Sequence, residues 1–251
     1  MIRTIYRRLQ QGHHTSGYPK VEAKLPSRYR GMPRLDESRC SEGCAECAGA
    51  CPTAAITLRP LRIDLGACLF CPACESACPE GAIAFATDHR LASRSREGLV
   101  AGAGHAVQLA TALDAQSRRL FGRSLKLRQV SAGGCNGCEA ELVALGNVVF
   151  DLGRFGIQFV ASPRHADGLV VTGPVTRNMR QALLDTWEAL PSPRIVVACG
   201  ACCLSGGPFA GSPEASDGMP ADIPVDLWVP GCPPHPLTVI DGLLRLLGRL
   251  E

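Results

Sequence analysis

Charge of one sign is what this 251-residue sequence lacks most plainly, with a formal net charge of only +3 at pH 7. A balance so near zero leaves no broad electrostatic footprint, and a strongly basic nucleic-acid binder is excluded. Nor is there a run of 18 or more apolar residues that would cross a bilayer by itself. No basic-then-apolar leader opens the chain, since Tyr6-Arg7-Arg8 runs into Leu9-Gln10-Gln11-Gly12 and two histidines rather than an export signal. Rossmann and Walker fingerprints are missing, because the glycine-rich segment at Gly133–Cys138 carries cysteines where a nucleotide site needs bare backbone. Aromatics make up only 5% of the chain. The 27 Gly and 19 Pro do not signal collagen or disorder, given 46% hydrophobic and 20% charged residues. The length suits one large domain, or an ordinary core with a smaller appendage.

Cysteine is what is abundant, at 14 residues. The cysteines bunch in CxxC spacings, which suit metal or cluster ligation better than crosslinking, so a reduced intracellular compartment is expected. Four stretches follow one another. Residues 1–39 carry nine Lys/Arg against three Asp/Glu, and Pro19, Pro26, Gly31 and Pro33 predict an extended basic arm rather than a helix. Such an arm is either a solvated tail or a strap laid over a partner subunit or an anionic lipid surface. Residues 40–87 hold an internal repeat. Residues 88–123 are rich in Arg, Ser, Ala and Gly and read as a linker, with helical periodicity over Ala103–Phe121. Residues 124–251 form the largest stretch.

The repeat carries the sharper chemistry. Cys40, Cys44, Cys47 and Cys51-Pro52 are echoed by Cys68, Cys71, Cys74 and Cys78-Pro79, each set followed by a short apolar run, Ala55–Leu58 and Ala82–Ala86. Two halves this small cannot bury a core without something inside them. Three closely spaced thiolates can wrap one corner of a cubane while a fourth points to a different one, so a pair of such runs cross-ligates two [4Fe–4S] clusters. One would take Cys51, Cys68, Cys71 and Cys74, and the other Cys40, Cys44, Cys47 and Cys78. Zinc knuckles do not need two interlocked four-cysteine runs. The segment resembles the bacterial two-cluster ferredoxin module, with one departure: three residues separate Cys40 from Cys44 where that family has two. Thr15, Tyr18-Pro19 and Arg30-Gly31 also resemble the start of ferredoxin subunits in membrane-bound hydrogenases and in NADH:quinone oxidoreductase.

Residues 124–251 alternate short β-branched runs with helical patterns. Strands are predicted at Leu125–Val130, Gly156–Ala161, Asp167–Thr172, Arg194–Ala198 and Asp226–Val229, and helices at Glu139–Leu152, Asn178–Leu190 and Leu237–Leu250. The fold class is therefore α/β, a parallel sheet covered on both faces with its sites at the carboxyl ends of the strands. The loops there carry Gly133-Gly134-Cys135-Asn136-Gly137-Cys138-Glu139, Thr172-Gly173-Pro174, Gly200-Ala201-Cys202-Cys203 and Pro230-Gly231-Cys232. A thioredoxin-like redox pair would explain the first cysteine loop alone; together the loops supply ligands to one site.

These segments resemble the small subunit of membrane-bound, energy-converting [NiFe] hydrogenases, which shares its flavodoxin-like fold with the proximal-cluster subunit of NADH:quinone oxidoreductase. The resemblance implies a third [4Fe–4S] cluster, the proximal one, held by Cys135, Cys138, Cys202 and Cys232. Cys202 is preferred to Cys203 because it fits the pattern Gly-x-Cys, three residues, Gly-Gly. Cys199 and Cys203 then read as small buried hydrophobes. The spacing Cys135-Asn136-Gly137-Cys138 is the hydrogenase-like form, since the quinone-reductase subunit has two adjacent cysteines there. Glu139 could tune the cluster or relay protons, and is otherwise a favourable acid at a helix start. His235 could donate to a cluster sulfur and is otherwise a loop histidine, and Arg177 could contact a large subunit or a cluster sulfur. His13, His14, His89, His105 and His165 receive no role.

Taken together, the resemblance implies an oxidoreductase-complex subunit that relays electrons through three [4Fe–4S] clusters. The catalytic centre would lie in a [NiFe] hydrogenase-type large subunit. Membrane subunits, and a formate- or ferredoxin-linked donor subunit, would be further partners. The complex would sit on the cytoplasmic face of the cell membrane, with this chain peripheral. Three rivals are a nickel-free quinone- or ferredoxin-linked dehydrogenase subunit, a free electron carrier and a non-redox metal protein.

Overall fold

The structure is a computed structural model that describes residues 2–102 and 106–250. Its first element departs from the extended arm expected over 1–39. Residues 2–11 contain neither Gly nor Pro and form helix α1 (Ile2–Gln11). The turn-forming residues that carry the extended reading begin only at Gly12, which ends α1 with a left-handed φ of 65° and donates its N–H to the Arg8 carbonyl at 3.0 Å. The next twenty residues are irregular, as expected, but they lie on this chain's own carboxyl-terminal half. Ser16 donates its N–H to the Val149 carbonyl. Arg154 donates to the carbonyls of Ser16 and Tyr18 at 2.6 and 2.8 Å. Tyr18 donates its buried hydroxyl to Asp241 at 2.7 Å.

Residues 33–102 form two small antiparallel sheets around two short helices. Strand β1 (Pro33–Leu35), helix α2 (Glu46–Gly49), β2 (Ile56–Thr57), β3 (Arg62–Asp64), α3 (Ala73–Ala77), β4 (Ile83–Phe85) and β5 (Val100–Gly102) follow in order. β1 pairs with β4, and β3 lies between β2 and β5. β2 and β4 fall within the two apolar runs of the repeat. β5 lies in the stretch read as linker, where Val-Ala-Gly gives little strand signal. The first three positions of the helix expected over Ala103–Phe121, and His105 with them, lie outside the described residues. Past them the chain stays irregular, burying Val107, Ala110 and Leu113. Helix α4 (Ala115–Phe121) starts late because Asp114 accepts from the N–H groups of Gln116 and Ser117 at 2.9 and 3.0 Å.

The carboxyl-terminal half is a mixed α/β unit. Strand β6 (Leu125–Ser131), helix α5 (Gly137–Ala144), β7 (Ile157–Phe159), β8 (Gly168–Thr172), α6 (Arg177–Glu188), β9 (Ile195–Cys199), α7 (Ala201–Ser205), β10 (Leu227–Val229) and α8 (Pro236–Leu246) alternate. The sheet is wholly parallel in the order β10-β9-β8-β6-β7, the flavodoxin-like order, so the direction of winding reverses between β6 and β8. Every residue of β8 and β9 is buried, as strands covered on both faces require. α5 stops at Ala144, short of the expected Leu152, because Asn147 turns the chain by accepting from the N–H groups of Val149 and Phe150. α7 was hidden in a Gly/Cys loop. One apolar core spans both halves, joining Leu61, Ile63 and Cys68 to Val130, Val171 and Leu204.

Candidate cluster-binding sites

The repeat folds into two cysteine-lined pockets. Cys40, Cys44, Cys47 and Cys78 line one cavity of about 260 Å3 together with Leu58, Leu61 and Ile83. Cys51, Cys68, Cys71 and Cys74 line a second, narrower pocket with Ala55, Ile56 and Ile63. Each pocket thus draws three thiols from one half of the repeat and one from the other. The two halves also reproduce one local bond: Ala55 donates its N–H to Cys51 Sγ and Ala82 donates to Cys78 Sγ, both at 3.2 Å. Phe70 adds a third such donor, to Cys68 Sγ at 3.3 Å. Amide donors of this kind favour the charged form of sulfur.

The third set lies at the carboxyl ends of β6, β9 and β10. Glycine backbone lies against these sulfurs, most tightly at Gly200, where a side chain could not be added without displacing Cys138. A Cβ at Gly200 (φ 94°) would stand 2.4 Å from Cys138 Sγ, and one at Gly207 would stand 3.2 Å from Cys202 Sγ. Gly137 keeps a similar approach, 3.5 Å, to Cys135 Sγ. Cys135 and Cys232 are exposed, whereas Cys199 and Cys203 are buried in the core. Cys203, one residue from Cys202, is fully buried.

Burial and mutual repulsion set the energetics of the thiols in the second and third sets. Burial pushes the Cys68 thiol up to about 12 against the opposing Phe70 N–H, and Cys74 up to about 11 with added repulsion from Cys71 and Cys51. Burial likewise raises Cys202 to about 11, helped by Cys232 and Cys135. Cys138 is raised by burial and by its neighbours Glu139, Cys202 and Cys232. Cys232 is raised by burial, by Cys135 and, from the other half of the chain, by Cys71. Thiolates crowded this way repel one another unless a bound cation holds them, which reverses the sign of every one of these shifts. Among the described residues no three His, Cys, Asp or Glu side chains close on a single metal ion. An all-sulfur donor set spread around a cavity, with amide donors and a glycine-lined approach, is suited to an iron–sulfur cube.

Glu139 sits at the first turn of α5 and is buried at 8% exposure. Its Oε1 accepts from Ser131 Oγ and Thr172 Oγ1, each at 2.6 Å. Burial pushes its carboxyl up, but the two hydroxyl donors outweigh it and the net shift is downward. The sequence pattern placed Thr172 in a site loop but did not single out Ser131 or give either residue a role at Glu139, which they reach because β6 and β8 are neighbours. His235 caps α8, its Nδ1 accepting from the Leu237 N–H at 3.1 Å, and its ring meets Tyr29 and Phe150 edge-on. Burial drives its pKa down to about 4. Arg177 forms an exposed 3.4 Å pair with Glu214.

Residues 135–246 match the sequence family described as NADH ubiquinone oxidoreductase, 20 Kd subunit. The chain is 46% identical over 129 residues to formate hydrogenlyase subunit 7 of Escherichia coli, covering 51% of each. It therefore spans about half the length of that relative. It is 43% identical over 136 residues to the probable membrane-bound hydrogenase subunit mbhJ of Pyrococcus furiosus, covering 54% of this chain and 81% of that one. A chain of the membrane-bound sulfane sulfur reductase, an archaeal respiratory membrane complex, aligns at 32% identity with a TM-score of 0.47, over 54% of this chain and 75% of that one. Among the described residues no helix is long and apolar enough to cross a membrane.

Proposed function

The chain belongs to the family of the 20 kDa subunit of NADH:ubiquinone oxidoreductase, and from that premise we propose an electron-relay subunit of a membrane-associated [NiFe] hydrogenase complex. The observation that carries the proposal is the gathering of twelve cysteines into three sets, two in pockets of the amino-terminal half and one at the sheet's carboxyl edge. Residues 40–87 would act as a two-cluster ferredoxin unit, holding [4Fe–4S] clusters on Cys40, Cys44, Cys47 and Cys78 and on Cys51, Cys68, Cys71 and Cys74. Residues 124–251 would hold the proximal [4Fe–4S] cluster on Cys135, Cys138, Cys202 and Cys232. When bound, these clusters supply one-electron oxidation and reduction.

The chain's own residues do the remaining work. Leu58, Leu61, Ile63 and Ile83 exclude water from the first two sets, and the Ala55, Phe70 and Ala82 amides stabilise charge on sulfur. Leu69 and Phe70, next to Cys71 in the chain, line one cavity with Cys232, which supports an order in which the Cys51/Cys68/Cys71/Cys74 set would lie beside the proximal set and the set containing exposed Cys40 outermost. Glu139, held as a carboxylate by Ser131 and Thr172, keeps a negative charge beside Cys138, and would carry a proton only transiently if it passes one to a partner. His235, with Nδ1 committed to the helix cap, is left with Nε2–H as its donor.

The catalytic centre would lie in a large subunit placed over exposed Cys135 and Cys232. Membrane subunits would hold the complex at the cytoplasmic face, and a formate- or ferredoxin-linked subunit would supply electrons. The hydrogenase-like spacing of Cys135 and Cys138 supports this reading. The second reading, the equivalent subunit of a nickel-free dehydrogenase related to NADH:quinone oxidoreductase, draws on the family description itself. Anaerobic purification of the native complex decides between them. Stoichiometric nickel in a co-purifying subunit, with H2 evolution from a low-potential donor, is expected; iron without nickel would move the function to the second reading.

A further inference from the structure

One guanidinium bridges the two cysteine-bearing halves. Arg96 donates through Nη1 and Nη2 to the two carboxylate oxygens of Asp64, each at 2.6 Å, and through Nε to the Leu204 carbonyl at 3.1 Å. All three contacts are partly buried, and the fork geometry is one that only arginine supplies.

Each partner stands directly behind a cluster ligand. Asp64 ends β3 and organises the turn leading to Cys68: its Oδ1 accepts from the Gly66 N–H at 2.9 Å, and its carbonyl accepts from Ala67 and Cys68 at 3.1 and 2.9 Å. Leu204 lies on α7, two residues beyond Cys202. The guanidinium packs so tightly on the turn that a Cβ at Gly66 would stand 2.4 Å from Arg96 Cζ. Arg96 itself is held at the start of the bend that returns the Leu99 carbonyl to the Leu65 N–H at 3.0 Å.

We propose that Arg96 is a positioning residue that fixes the spacing between the Cys51/Cys68/Cys71/Cys74 set and the proximal set. The proposal rests on the three-cluster reading above. Arg96 touches neither a cluster ligand nor the space between the ligands; it acts through Asp64 on the Cys68 turn and through Leu204 on the helix carrying Cys202. Other contacts keep the halves together without it. Ser93 and Trp228 exchange two backbone hydrogen bonds at 3.0 and 2.8 Å, and the apolar core runs across the boundary. Removing Arg96 therefore frees the spacing without separating the halves.

The test compares the full chain with R96L, R96K and D64N, each purified anaerobically and assayed for iron before anything else. Pulsed EPR on the reduced protein then measures the dipolar coupling between the two neighbouring clusters, and rapid-freeze reduction measures the rate at which they equilibrate. In R96L, iron is expected to stay at the wild-type level while the coupling broadens into a distribution and equilibration slows about tenfold or more. R96K, which keeps the charge but cannot reach both partners, should recover only part of the coupling. Should R96L fail to retain iron, D64N decides, because it keeps the size of the turn and weakens only the fork. Unchanged coupling and rate in an iron-replete R96L or D64N would overturn the proposal. A wild-type chain lacking one of the two clusters would instead defeat the three-cluster reading and leave no spacing for Arg96 to set.

Discussion

The two halves of this chain use cysteine in opposite ways. In residues 33–102 the sheets are two or three residues wide at each pairing, and Cys47, Cys68 and Cys74 are themselves members of the core. In the carboxyl-terminal half the core is largely aliphatic, built on β6, β8, β9 and α8, and the cysteines proposed as ligands lie past the strand ends, Cys135 and Cys232 on loops and Cys138 and Cys202 in the first turns of α5 and α7. A small fold whose core positions are thiols depends on what those thiols hold. A five-stranded sheet with its own aliphatic core does not.

Iron removal should break the symmetry between the halves most sharply. After chelation, or in Cys74→Ser, amide exchange is expected to accelerate by orders of magnitude over residues 33–102 while β8 and β9 stay protected. Equal loss of protection in both halves would contradict the contrast. The reverse lesion is Asp241→Ala, which removes the acceptor of both Tyr18 and Arg245 from a site with no solvent access. It should cost about 3–5 kcal/mol in urea unfolding of the carboxyl-terminal half, yet leave the iron of the amino-terminal pockets in place.

A smaller effect separates the halves by pH. His235 has its folded pKa driven below the ordinary 6.5 to about 4 by burial, with a contribution from His89. The unfolded chain therefore takes up a proton that the folded chain refuses, and stability falls as pH drops from about 6.5 to about 4, then levels off. With the ring partly solvated, the loss should be about 1–2 kcal/mol. His235→Asn keeps a capping acceptor and should flatten that slope in unfolding titrations of the carboxyl-terminal half. Smallest is Glu139→Gln, whose amide oxygen can still accept from Ser131 or Thr172. It should lower the unfolding free energy by about 1 kcal/mol and shift the spectrum of the proximal set alone.

The same contrast governs what could be read from the sequence. Cysteine spacing is a local property, so the repeat, its two apolar runs and the loop cysteines were all legible. The five parallel strands were legible too, because β8 and β9 are continuous β-branched runs. α1 was misread since the prolines and glycines beyond residue 12 were extended backwards over a segment that has none. β5 escaped because Val100-Ala101-Gly102 becomes a strand only through pairing with β3. Arg96 was invisible for a related reason: it sits in a stretch read as linker, and its carbonyl partner lies 108 residues away. Hydrogen-bond partners so far apart in the chain leave no trace in composition or period.

Iron with acid-labile sulfide, counted per anaerobically purified chain, decides whether three separate cysteine sets each hold a four-iron cluster. Roughly twelve of each per chain is predicted, falling to roughly eight in Cys202→Ser but staying near twelve in Cys203→Ser. A wild-type count near eight or four, or a loss in Cys203→Ser with none in Cys202→Ser, would contradict it.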